Sequence, residues 1–178
     1  MPAKARRVWY SVAMSLDGYI AREDGSYDWI PDEPDIDWGE FMGRFDTMVM
    51  GRKTYQAATQ GGGGPLAQHT YVFSRTLRAA EHPKVTVVAG DPAATVRALR
   101  RDAGKDIWLF GGGDLFRQLL DAGEVDMIEI GLVPVLLGSG IPMLPKGGSD
   151  VNVRLVKSEQ PGKSGIILLT YEARGSAT

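Results

Sequence analysis

Two places in the chain put glycine and polar residues where a strand gives way to a helix. The first is Met50-Gly51-Arg52-Lys53-Thr54, and the second is Phe110-Gly111-Gly112-Gly113-Asp114-Leu115. At such junctions, free backbone N–H groups and the positive end of the helix dipole can hold an anion. Neither segment is a standard nucleotide signature. The third glycine of a GxGxxG fingerprint would fall at Phe116, and a P-loop would need glycine at Asp46 and lysine at Arg52. Each glycine segment alone can be a tight turn. Together, with Arg52 and Lys53 adjacent, they offer separate anion sites to the two ends of a dinucleotide lying across strand ends.

Other chemistries are excluded by composition. The chain has no cysteine, which removes thiolate metal sites, iron–sulfur clusters, disulfides and thiol nucleophiles. His69 and His82 are the only histidines and stand in no ligand pattern, so no metal is expected. Lys and Arg number 20 against 22 Asp and Glu, which gives no electrostatic case for nucleic acid. The apolar stretch after the basic N-terminus is broken by Ser11, Ser15 and Asp17, making a poor signal peptide, and no apolar run reaches the roughly 20 residues of a membrane span. The expectation is a cytoplasmic protein with a small-molecule substrate and with neither nucleic acid nor membrane as partner. At 178 residues it reads as a single domain, 1–178, with a core over about 8–172.

The elements that position the two junctions follow from periodicity. Val8 to Met14 is a buried first strand ending near Asp17-Gly18, and Tyr19 to Pro34 reads as a loop. Trp38, Phe41, Met42 and Phe45 fall at i, i+3, i+4 and i+7, the apolar face of a short helix. Strands are predicted at 47–50, 70–73, 85–88, 107–110 and 127–133, with a helix over 52–59 and no regular element across Gly61-Gly62-Gly63-Gly64-Pro65. Asp91-Pro92 starts a helix running to about Ala103, and Asp114 caps another that Gly123 closes. Two late strands, about 151–158 and 165–173, have no helix between them and suggest an antiparallel edge. The pattern is α/β with a largely parallel sheet.

Four stretches in this order resemble the dihydrofolate reductase superfamily, and most closely its branch related to the riboflavin-biosynthesis reductase (the RibD C-terminal domain). They are Ser11 to Ala21, Met50 to Tyr55, Val72-Phe73-Ser74-Arg75 and Ile107 to Phe116. The resemblance implies a three-layer fold: a mostly parallel sheet of about eight strands with an antiparallel edge, and helices on both faces. It also implies NADPH as hydride donor. Carried over by position, Ala13 and Ile20 line the nicotinamide side. Gly51, Arg52, Lys53 and Thr54 hold phosphates, Ser74 and Arg75 take the adenosine 2'-phosphate, and Gly111, Gly112, Gly113, Asp114 and Leu115 take the pyrophosphate. Trp29 sits in a loop closing over the nicotinamide.

For catalysis the resemblance points to Asp37, four residues before Phe41, as an acid shielded by Trp29 and Phe41. A desolvated carboxyl there could assist protonation as hydride arrives. Asp37 can equally be a first-turn charge, and Asp35 is a plausible helix N-cap. Two departures weigh against folate: Gln68 stands where the family's tail-gripping arginine belongs, and Gly131 stands near the place of its acid-orienting threonine. Pro134 to Pro142 resembles the riboflavin-type branch, whose subunits commonly pair as homodimers. The leading expectation is an NADPH-dependent reductase of 5-amino-6-(5-phosphoribosylamino)uracil or a related pyrimidine or pteridine. Dihydrofolate reduction and a non-catalytic nucleotide-binding domain are the alternatives.

Overall fold

The structure, a computed structural model, describes residues 6–60 and 67–173; the Gly61–Pro65 run lies outside the described residues. In chain order the elements are β1 (Val8–Ser15), β2 (Tyr19–Ala21), α1 (Trp38–Gly43), β3 (Phe45–Gly51), α2 (Arg52–Gln60) and β4 (His69–Phe73). β5 (Thr86–Val88), α3 (Pro92–Leu99), β6 (Asp106–Gly111), α4 (Gly113–Asp121), β7 (Met127–Val133), β8 (Ile141–Pro142), β9 (Val153–Glu159) and β10 (Ile167–Ala173) follow. Eight strands form one sheet in the order β5-β4-β3-β6-β1-β7-β10-β9. All neighbours are parallel except β7–β10 and β10–β9. The expected mostly parallel sheet with an antiparallel edge is therefore present.

Successive side chains of a strand point to opposite faces, and the two faces carry separate cores. Val8, Tyr10, Val49, Ile107, Leu109, Ile128 and Ile130 pack with Val96 and Leu99 of α3 and with Leu115, Phe116, Leu119 and Leu120 of α4. On the other face Trp9, Met48, Met50, Val72, Trp108 and Met127 pack with Phe45, with Tyr55 of α2 and with Phe41 and Met42 of α1. Among the described residues no helix is long and apolar enough to cross a membrane.

The structure corrects several expectations. Phe45 does not extend the apolar face of α1: that helix ends at Gly43, and Phe45 opens β3, buried and stacked 5.7 Å from the Trp108 ring. α3 stops at Leu99 because the N–H groups of Arg101 and Asp102 bond three residues back, to Ala98 and Leu99, tightening the turn. Arg100 then turns toward Glu124 and Asp126, at 3.3 and 2.9 Å. The cap of α4 is Gly112, and Asp114 is the second residue of the helix. Tyr19–Ala21 is a strand rather than loop, because β8 lies antiparallel against it.

Candidate active site

The strand order reverses around β1, where β6 lies on one side and β7 on the other. In open α/β sheets such a switch leaves a crevice beyond the strand ends. A cavity of about 1820 Å³ opens there. It collects every residue that the sequence assigns to a dinucleotide: Ala13, Ile20, Gly51, Arg52, Lys53, Thr54, Ser74, Arg75, Gly111, Gly112, Gly113, Asp114 and Leu115.

At one end the wall is mostly main chain. α4 begins at Gly113 behind Gly112, which has no side chain to cap it, and the first bond back into the helix runs from the Phe116 N–H to the Gly112 carbonyl. The N–H groups of Gly113, Asp114 and Leu115 are thus left for an anion. α3 differs: its N-terminus is closed by the Asp91 carboxylate, which accepts from the N–H groups of Ala93 and Ala94. Glycine is required twice in this turn. Gly111 has φ +137°, and a Cβ on Gly113 would lie 2.8 Å from the Pro142 carbonyl oxygen. The Gly111–Gly112 peptide is cis. Nearby stand two arginines without counter-charges. Among the described residues every arginine except Arg52, Arg75 and Arg101 has a carboxylate within ion-pair distance, and Arg52 and Arg75 both line the cavity. The Ser74 hydroxyl accepts from the N–H groups of Thr76 and Leu77, so it also shapes the turn that presents Arg75.

The rim is tied down by two carboxylates. Asp17 accepts from the Ser15 hydroxyl and from the N–H groups of Leu137 and Gly138, and these bonds hold its carboxyl below the usual range. Glu33, 6% exposed, is lowered mainly by the Ser164 hydroxyl, which fastens the loop before α1 to the turn before β10. Asp37 is exposed and caps α1 by accepting from the Glu40 N–H at 2.8 Å, so it is neither shielded by Trp29 and Phe41 nor part of the cavity wall, and the cap is Asp37 rather than Asp35. Trp29 likewise does not line the cavity; its indole N–H is buried without a partner. Gln68 is exposed and lies outside the cavity.

The other end is made of side chains, and of these the sequence reading had named only Phe41 as part of a site. Phe41 and Trp108 meet edge to face at 4.9 Å, and the Trp108 indole N–H donates to the Ser11 carbonyl at 3.2 Å. Glu129 lines the same wall and receives both terminal nitrogens of Arg44, at 2.8 and 3.2 Å. The Arg44 guanidinium lies 4.6 to 5.0 Å from the rings of Trp9, Phe41 and Phe45. One signal was available: Glu129 is the single charge in Met127-Ile128-Glu129-Ile130-Gly131-Leu132-Val133, on the face shared by Met127 and Val133.

Known proteins share this fold. The family model of the RibD C-terminal domain matches residues 6–167. The chain belongs to the RibD C-terminal domain family. Its fold is dihydrofolate reductase-like. A putative riboflavin biosynthesis protein from Shewanella sp. PV-4 is 28% identical, with a TM-score of 0.76 over 96% of this chain and 99% of that one. The uncharacterized protein YwjB of Bacillus subtilis is 32% identical over 89% of this chain and 94% of its own. The Thermotoga maritima diaminohydroxyphosphoribosylaminopyrimidine deaminase/5-amino-6-(5-phosphoribosylamino)uracil reductase, 18% identical, shares the fold with a TM-score of 0.69. This chain covers 57% of its length.

Proposed function

We propose that the chain is an NADPH-dependent reductase acting on 5-amino-6-(5-phosphoribosylamino)uracil or a close pyrimidine analogue. The observation that carries this is one cavity joining an uncapped helix N-terminus and unpaired arginines to an aromatic wall bearing a carboxylate. The residues fit the cofactor. The N–H groups of Gly113, Asp114 and Leu115 suit a pyrophosphate, and the charge-assisted bonds of Arg75 suit a 2'-phosphate. Ala13 and Ile20 give an apolar surface for a nicotinamide. When bound, NADPH supplies the hydride. The chain's own part is to hold both rings in register and to exclude water with Ile20, Trp38 and Phe41.

The test is NADPH oxidation with this phosphoribosylamino-uracil and, in parallel, with dihydrofolate. Turnover of about 1 per second or faster with the uracil alone is expected. Turnover with dihydrofolate alone sinks the reading, and cofactor binding with no turnover of either favours a non-catalytic nucleotide-binding domain. The exposed position of Gln68 supports the uracil, since no cation stands there to grip a folate tail. We also propose a homodimer. Its support is the edge strand β9, where Val153, Leu155 and Val156 are 42%, 50% and 51% exposed. Light scattering at a monomer's mass would remove it.

A further inference from the structure

Resting on that reading of the cavity, we infer that Glu129, held by Arg44 and neighboured by Ser11, selects the substrate ring: a neutral N–H edge is accepted and a cationic one refused. In register along β1 and β7, Ala13 lies opposite Gly131 and Ser11 opposite Glu129. Glu129 is therefore two residues, about 7 Å, deeper than the proposed nicotinamide wall. A single heterocycle with its substituents spans that distance, over the floor made by Trp108.

The wall there has unspent hydrogen-bonding capacity. The Ser11 hydroxyl is buried and has no partner, and Ser11 is 7% exposed. A buried hydroxyl left in this state calls for a partner that arrives with a ligand or a water. Glu129 accepts one bond per oxygen from Arg44, and each carboxylate oxygen has a further lone pair. Its side chain is 18% exposed, so those lone pairs reach the cavity.

The charge balance sets what these lone pairs accept. An unpaired carboxylate at the end of an apolar cavity would draw a cation, such as a protonated amidine. Here Arg44 cancels that charge, and three rings fix it in place, so it cannot swing away when a second cation enters. A cationic ring would face Arg44 as a like charge. A neutral ring meets no such opposition, and its lactam N–H or exocyclic amino group can donate to Glu129. The class selected is a neutral heterocycle that presents an N–H edge. Arg44 acts through Glu129 and is a positioning residue.

The experiment is calorimetric titration of the full chain with two probes: 5,6-diaminouracil, which is neutral, and 2,4-diaminopyrimidine at mildly acidic pH, where its amidine is protonated. Wild type binds the diaminouracil about tenfold more tightly, the equivalent of one charge-assisted hydrogen bond. Glu129→Gln loses about tenfold for the diaminouracil and leaves NADPH affinity unchanged. Arg44→Met reverses the preference between the probes, a change that loss of packing alone does not produce. Melting temperature, with NADPH affinity beside it, reports whether each variant is folded. If wild type does not bind the diaminouracil, or if Glu129→Gln binds it as wild type does, the inference fails. Should Arg44→Met prove unfolded, Glu129→Gln alone decides. A chain that does not bind NADPH but still loses diaminouracil binding on Glu129→Gln overturns the cofactor reading and keeps this one.

Discussion

At the α4 end of the cavity the working surface is mostly backbone, three N–H groups and a glycine turn, with two unpaired arginines beside it. At the β7 end it is side chains, with Phe41 on a helix and Ser11, Trp108 and Glu129 on three strands far apart in sequence. A backbone surface constrains residue type tightly, because only glycine permits the turn. A side-chain surface can be rebuilt one residue at a time. The first kind suits a ligand shared by many enzymes, and the second a ligand that distinguishes one enzyme from the next.

The sharpest break of this contrast is Gly113→Ala. A Cβ 2.8 Å from the Pro142 carbonyl forces the turn or β8 to move. An overpacking cost of about 1–3 kcal/mol implies NADPH affinity lower by roughly 5- to 150-fold, while diaminouracil affinity is unchanged. Calorimetry with both ligands checks this, and equal loss of both would show that the two ends are not separable. Arg75→Ala is next: NADPH affinity falls roughly tenfold and NADH affinity stays the same, because the lost partner is specific to the 2'-phosphate. Equal weakening of both cofactors would place Arg75 elsewhere.

Glu33 tests the rim between the two ends. Its carboxyl is held low in the folded protein, so its contribution is present above the unfolded-state pKa and is lost as pH falls through the folded value. Melting temperature should therefore drop less on acidification for Glu33→Gln than for wild type, and parallel curves would refute the clasp to Ser164. The smallest effect belongs to Asp37→Asn. Asparagine caps as well as aspartate, so stability and turnover should both match wild type. A tenfold fall in kcat would return Asp37 to the chemistry.

The same contrast explains what the sequence disclosed. The sheet was legible because each buried strand is a short apolar run between turn residues. The wall of the proposed cofactor site was legible because two glycine segments, each of which alone could be a tight turn, both stand at strand-to-helix junctions, one of them with Arg52 and Lys53 adjacent. Glu129 was visible only as an oddity in an apolar strand, since its meaning depends on Arg44, 85 residues away and placed by tertiary packing. Asp37 stayed open between two readings for a related reason: spacing to Phe41 places it at the start of α1, and only the N-cap bond shows its carboxylate turned to the helix's own N–H groups.

Trp108 gives the molecule an optical property. The chain has four tryptophans, and this one is 6% exposed, with its indole N–H anchored to the Ser11 carbonyl and its ring against Phe41 and Phe110. An indole so immobilised emits from one well-defined environment, and a heterocycle laid on it changes that emission directly. Occupancy of the β7 end can thus be followed by intrinsic fluorescence in real time, with Trp108→Phe separating its signal from that of Trp38, which lines the same cavity.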